Sequence, residues 1–317
     1  MIDSGVEFVK RNSSIALAFG IALVLYVAGT VQASGFASYA HTRSILITAS
    51  FIGLVGLGQT FCILTGGIDL SIPATVAGSA VLTSFLAGGD SSKLVWILPV
   101  VLGFALAVGL INGLGIAYAG VPPIIMTLGM NSAIQGLLLV YTHGGFASAP
   151  PQDLIDFVNG NTITLSTDLL IWIVVIALAT VVLSFSVFGR KLYAVGTNPT
   201  AAYLAGVNVR RILLVPYILS ACCGAITGVL LLGFLGQAFI NIGDEYLFSS
   251  AVAVAVGGAS ILGGRGHYIG TVAGAIILTL IAANLQLLSL GPAALQISYG
   301  VILLATVYLS GLRLGRR

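Results

Sequence analysis

Ile63-Leu64-Thr65-Gly66-Gly67-Ile68-Asp69-Leu70-Ser71-Ile72-Pro73-Ala74-Thr75 sets two glycines, a carboxylate, hydroxyl side chains and a proline between two apolar runs. The runs, about residues 44–64 and 72–88, are long and unalternating, which predicts helices rather than barrel strands. The polar segment therefore reads as a helix break and restart. Ser71 is placed to cap the second helix, Pro73 falls in its first turn, and Asp69 lies near its positive N-terminal end. Thr65, Gly66, Gly67, Asp69 and Ser71 form a candidate hairpin. Asp69 is either a gate or solute contact, or a capping residue that positions the turn.

The rest of the chain has the same character. Of its 317 residues, 58% are hydrophobic and only 7% are charged, whereas a soluble domain carries about 25% charged residues. This composition excludes a water-facing surface and a separate soluble catalytic domain. Glycine, at 41 residues, recurs at small-xxx-small spacing in Gly109/Gly113, Gly224/Gly228 and Gly270/Gly274; such pairs let helix backbones approach closely in lipid. Cys62, Cys222 and Cys223 lie inside apolar runs without metal-ligand spacing, so they read as small packing residues.

Further apolar runs at about 15–30, 94–118, 124–141, 169–187, 212–235, 248–262, 270–289 and 296–312 bring the total to about ten spans in a single transmembrane domain over 1–317. Charge tests the count. With Lys10 and Arg11 inside, six crossings bring Arg190, Lys191, Arg210 and Arg211 inside, and four more bring Arg313, Arg316 and Arg317 there. Both termini are expected to be cytoplasmic. Arg265 also falls inside, and Arg43 and Lys93 are left outside. The segment from about 142 to 168 holds Asp153, Asp156 and Asp168 but no Lys or Arg, as suits an external loop. Tyr141, Phe146 and Trp172 near its ends are either interfacial anchors or ordinary aromatic packing. One echo stands out: Gly66-Gly67 precedes Thr75-Val76-Ala77-Gly78, and Gly263-Gly264 precedes Thr271-Val272-Ala273-Gly274. A duplicated unit would account for it, and many transporters are built from such repeats.

Three other segments carry polar groups. Pro122-Pro123 ends the fourth run and starts the fifth, with Asn112, Thr127 and Asn131 nearby. These three either line a path for a neutral polyhydroxylated solute or bind helices to one another. Between about 188 and 211, Asn198 caps a short helix with Pro199 at its first position, and Gly206 ends it. Its apolar side, including Ala202, Leu204 and Ala205, has no obvious partner within the chain and either fits another protein's groove or lies on lipid at the membrane face. Gly263, Gly264, Arg265 and Gly266 form a late hairpin turn. No catalytic or metal-binding constellation is present, and no phosphate-binding glycine loop precedes any of the three lysines.

These segments, in this order, resemble the ribose-type permeases, the membrane subunits of bacterial monosaccharide ABC importers. The likeness rests on Ile63 through Ser71, Ile111-Asn112-Gly113, Val121 through Met130, Phe188-Gly189-Arg190 with Tyr193 through Asn198, and Ala253 through Gly266 with Gly270-Thr271. It implies an all-α polytopic protein of the bacterial inner membrane, paired with a second copy or a sister permease. It also implies two cytoplasmic ATPases carrying ATP and Mg, a periplasmic sugar-binding protein, no cofactor on this chain and no nucleic acid. Asn198, Pro199, Ala201, Ala202 and Gly206, with Arg190, would belong to the helix that couples to the ATPase. Ala201-Ala202-Tyr203-Leu204-Ala205-Gly206 is similar to the A-A-x-x-x-G core of the docking motif, with Thr200 in place of that motif's Glu. Ile72-Pro73 replaces the Val-Gly common after the family's D-L-S. A proton-coupled secondary transporter working through Asp69 is the alternative.

Overall fold

A computed structural model describes residues 2–144, 149–162 and 165–314. Phe146, Arg316 and Arg317, with the side chains of Lys10, Arg11 and Arg313, lie outside the described residues. The described elements, in order, are α1 (Ile2–Gln32), α2 (Tyr39–Leu64), α3 (Ile72–Ala87), α4 (Leu94–Ala117), α5 (Pro123–Thr142), α6 (Gln152–Asn159), α7 (Thr167–Phe185), α8 (Val187–Thr197), α9 (Pro199–Leu204), α10 (Val209–Leu235), α11 (Tyr246–Val256), α12 (Tyr268–Leu287) and α13 (Pro292–Leu314). A two-residue antiparallel ladder pairs Asn161 with Ser166 and Thr162 with Leu165 just before α7.

The protein is thus an all-helical, multi-span chain. Seven helices (α1, α2, α4, α5, α7, α10 and α12) are long and apolar enough to cross a membrane, and α3, α11 and α13 are shorter apolar helices. Together they account for the ten expected runs, with one correction. The run at 248–262 is not a full span, because α11 stops at Val256. Apolar character continues to Leu262, but Gly257-Gly258 breaks the helix and Gly258 takes φ +88°, which a side chain disfavours.

Small residues decide the packing. Helices α2, α10 and α12 form the buried centre, and α1, α4, α5 and α7 are largely exposed around it. Each glycine pair sits at a crossing. A Cβ on Gly109 would lie 2.5 Å from the Ile218 backbone, and one on Gly113 would lie 2.9 Å from the Leu214 carbonyl oxygen, both on α10. Gly224 and Gly228 meet Thr75 and Val76 of α3; Gly270 and Gly274 meet Gly257 and Ala253 of the α11 segment. With lipid as apolar as any side chain, such close backbone approach is what holds these helices together.

For Trp172 the structure decides between the two readings in favour of packing. The side chain is buried at 4% exposure instead of anchoring at an interface, and its indole N–H donates to Tyr268 Oη at 3.1 Å. Tyr268 in turn donates to the Gly53 carbonyl at 2.8 Å. Tyr141 is exposed, with its ring against Phe85.

The two ends of the bundle differ in charge. One end gathers Arg190, Lys191, Arg210, Arg211 and Arg265. A cavity of about 520 Å³ there is lined by Ser14 of α1, Thr197, Arg265 and Thr306 of α13, so the first and last spans reach the same basic end. At the opposite end, Lys93 lies 4.0 Å from Asp90, and Arg43 lies within electrostatic reach of Asp168. Hydrogen bonds from the Ser92 hydroxyl and N–H hold the exposed Asp90 carboxyl below its ordinary pKa. Helix α6, with Asp153 and Asp156, lies against this end, where its Leu154 and Val158 pack against Gly233.

Candidate functional site

Helix α2 ends where Gly66 turns to φ +81° and the N–H groups of Thr65 and Gly67 return to the Cys62 carbonyl, at 3.1 and 3.0 Å. The chain then runs through Gly67–Leu70 without helical bonds of its own. At membrane depth, non-helical backbone survives only where protein satisfies it, and here the neighbours do so. Asp69 N–H donates to Gln59 Oε1 at 3.2 Å, Leu70 N–H to Thr127 Oγ1 at 3.0 Å, and Ala74 N–H to Asn131 Oδ1 at 3.2 Å.

The cap on α3 differs from expectation. Ser71 makes no side-chain cap bond. Instead Asp69 Oδ1 accepts from Ser71 N–H at 2.9 Å and from Ser71 Oγ–H at 2.6 Å, while Asn112 Nδ2 donates to Ser71 Oγ at 2.9 Å. A carboxylate binds an N–H more strongly than a hydroxyl does, and in the extended backbone ahead of the helix Asp69 reaches forward two residues. Pro73 lies in the first turn, as its fixed φ allows. Asp69 is 1% exposed, and Asn112 and Thr127 are fully buried; Asp69 Oδ1, Asn112 Nδ2 and Thr127 Oγ1 are bonded at the break, while Asp69 Oδ2 and Asn112 Oδ1 are buried without a hydrogen-bond partner. Asn131 is partly exposed.

A second feature joins three segments far apart in sequence. Gly264 N–H donates to the Leu64 carbonyl at 2.9 Å, tying the late loop to the end of α2. The C-terminal turn of α8 wedges into the same place. A Cβ on Gly196 would overlap Leu64 O and sit 2.7 Å from Gly264 N; one on Gly263 would lie 2.9 Å from both Gly196 O and Gly66 N. Tyr193 Oη donates to Gly266 O at 2.7 Å, and burial raises its pKa, which keeps the hydroxyl protonated as a donor. The two Gly-Gly turns that echo each other in sequence thus touch through Gly66 and Gly263, with α8 against both.

Beyond α8 stands α9. Asn198 Oδ1 accepts from Ala201 N–H at 3.0 Å and Pro199 opens the helix, as the sequence predicts. Gly206, at φ +80°, follows the last turn. The polar stretch holds two helices rather than one, since Val187–Thr197 is helical too, capped by Ser186 on Gly189 N–H at 2.9 Å. Arg190 Nη1 donates to Phe185 O at 3.2 Å. Ala202 faces the chain's own interior at 5% exposure, which corrects its assignment to an outward apolar side; Tyr203 and Leu204 stand free at 70% and 80%. Arg265 folds back through its carbonyl, which accepts Ser260 N–H at 2.8 Å.

Sequence reading missed several contributors. Gln59 and Ser220 are polar residues inside apolar runs, fully buried beside the break, and Tyr217 packs its hydroxyl on Gly67. Charge search passes over uncharged amides and hydroxyls; a search for every polar residue within a span finds them.

Comparison with known proteins agrees with this architecture. Residues 42–307 match the family model described as branched-chain amino acid transport system / permease component. The chain is 34% identical to a probable ABC transporter permease, YphD, of Escherichia coli K12, covering 95% of this chain and 90% of that protein. It is 32% identical to the galactose/methyl galactoside import permease MglC of the same strain, covering 94% of each. The fructose import permease FrcC of Rhizobium meliloti is also 32% identical, with 90% of this chain and 82% of that protein covered. No solved structure matches the chain.

Proposed function

The chain belongs to the branched-chain amino acid transport system / permease component family, and from that premise we propose that it is the membrane permease of an ATP-driven importer for a monosaccharide or similar small polyol. The relatives named above, permeases for galactose and fructose among them, support the sugar class. The reading sets the protein in a bacterial inner membrane with its basic end in the cytoplasm, in accord with the positive-inside rule. Its partners are ATP-binding-cassette subunits, which carry ATP and Mg, a periplasmic sugar-binding protein and a second permease. The chain does no chemistry of its own.

One observation carries the mechanism: the exposed helix α9 continues through α8 into the Gly196–Leu64–Gly264 junction. Tyr203 and Leu204 would seat in a groove of the ATPase. Closure of the ATPase pair on ATP moves α9, and α8 carries that motion without side-chain slack, because Gly196 meets Leu64 and Gly264 backbone to backbone. The motion arrives where α2 breaks, at a hinge with Gly66 on one side and the Asp69–Ser71 cap on the other. Such a break absorbs backbone rotation while α3 and α4 move as packed units. The bundle then alternates between inward- and outward-facing arrangements.

Purification of the tagged chain with its ATPase, reconstituted with the binding protein, tests this reading. Gly206→Trp forces a bulky residue onto φ +80° at the end of α9, where the surroundings are open. The expected result is ATP hydrolysis uncoupled from uptake in a chain that still folds. Tightly coupled transport in that variant would refute the role of α9.

A further inference from the structure

Helix α10 ends at Gly236 in a left-handed turn, and the chain does not simply cross to the next span. It dips back into the bundle. A Cβ on Gly243 would lie 2.8 Å from the Pro73 carbonyl carbon, so this segment rests on the start of α3. Thr75, in that first turn, packs on Gly224, which lies about 22 Å along an α10 roughly 40 Å long. Helix α11 therefore begins near mid-depth, which explains why it needs only 11 residues to reach the basic end.

The dip delivers polar side chains to an otherwise apolar flank. Asn241 Nδ2 donates to Asp244 Oδ2 at 2.9 Å, and Gln135 Nε2 of α5 reaches Asp244 Oδ1 at 3.5 Å. One turn back along α5, Asn131 accepts from Ala74 N–H. On α5 these two amides stand roughly 12 and 18 Å from its start, in a helix about 30 Å long. Asn241 and Asp244 are exposed, and Asn131 and Gln135 partly so. A carboxylate at that depth is strongly disfavoured against acyl chains and is found facing a water-filled cavity or a bundle interior.

We propose that Asn131, Gln135, Asn241 and Asp244 line the solute path at mid-membrane and contact a polyhydroxylated solute as it crosses. The assignment rests on the importer reading above. Three amides and one carboxylate offer both donors and acceptors, matching vicinal hydroxyls, each of which donates and accepts. Side-chain amides do not hold a neutral sugar as tightly as a closed pocket would, which suits a site that must release its cargo. The same path explains why a chain with so few charges keeps Asp244, beside Glu245, in the middle of a span region.

Two measurements test it on the complete transport complex in inverted and right-side-out vesicles. The first, in a chain with Cys62, Cys222 and Cys223 replaced by Ala, compares Asn241→Cys with Val181→Cys, an exposed apolar position on α7. A membrane-impermeant cationic methanethiosulfonate is the probe. The expected result is modification of Asn241→Cys from at least one side, with Val181→Cys unreactive; equal inertness would put this face in lipid and overturn the proposal. The second measures uptake of ribose, allose, galactose and fructose at limiting concentration. Asp244→Asn removes a charge-assisted bond to a hydroxyl and is expected to reduce uptake of the transported sugar by about tenfold or more, with the ATPase still bound. Wild-type uptake in Asp244→Asn and in Gln135→Ala would show a wet face that does not touch solute, which also overturns it. Should the unmodified complex carry no sugar, the importer reading fails on its own, and cysteine modification alone then decides whether the face is wet.

Discussion

Gly196→Ala adds one methyl group at the point where α8 meets the break in α2. That methyl would overlap the Leu64 carbonyl oxygen and lie 2.7 Å from the Gly264 nitrogen. Both obstacles are backbone, so no side chain can rotate away. Overpacking of this kind costs about 1–3 kcal/mol. If the junction opens to relieve it, the Gly264 N–H to Leu64 O bond of 2.9 Å is lost, a further loss of about 1 kcal/mol. One or two kcal/mol already shifts a two-state equilibrium by roughly 5–30-fold, so the engaged junction should become a minor state. The assay is solute uptake and ATP hydrolysis by the reconstituted complex, with thermal unfolding of the detergent-purified chain alongside. Uptake should fall by about tenfold while hydrolysis persists and the ATPase still co-purifies. Gly103→Ala, on α4 with open space around its Cβ, is the control and should be neutral or slightly stabilising. Gly196→Ala with unchanged uptake and unchanged unfolding would refute the backbone-to-backbone coupling.

Other substitutions separate the remaining parts. Asp69→Asn keeps an acceptor for Ser71 N–H and should retain most uptake with no new pH dependence, whereas Asp69→Ala loses the cap and should cost about 1–2 kcal/mol of stability; both are read by unfolding and uptake. His267 caps α12 through Nδ1, which accepts from Ile269 N–H at 3.2 Å, leaving Nε2–H to donate to Ser184 Oγ at 3.0 Å. Burial lowers its pKa, so the folded protein holds the neutral ring. Its contribution is then present above the unfolded value of about 6.5 and is lost as pH falls from there toward the folded value; His267→Asn should flatten that part of the stability profile between pH 7 and 5. Leu204→Asp puts a charge on the exposed tip of α9 and should weaken recovery of the ATPase subunit from solubilised membranes without lowering the unfolding temperature of the chain.

The break between α2 and α3 was legible in sequence because Gly66, Asp69 and Pro73 each restrict the backbone in a known way. The α9 helix was legible for the same reason, through Asn198 and Pro199. The succession of apolar helices followed from hydropathy. What sequence could not show depends on contacts between distant residues. Trp172 looks interfacial by position, yet a notch at Gly53 and the Tyr268 hydroxyl bury it. Hydropathy carries the 248–262 run across a whole membrane, while two glycines stop the helix at Val256. The dip at 236–245 leaves only a mild polar signal, and its depth is set by Gly243 packing on Pro73. Gly196 looks like any other glycine in a glycine-rich chain until Leu64 and Gly264 are seen beside it.

Extraction of the tagged chain from its native membrane in mild detergent, with mass spectrometry of what co-purifies and reconstitution of the recovered complex, bears on all of this. A stoichiometric P-loop ATPase, with uptake that requires ATP, is the expected result. A chain recovered alone that moves solute without ATP, and loses proton coupling in Asp69→Asn, would contradict the importer reading and establish a secondary transporter.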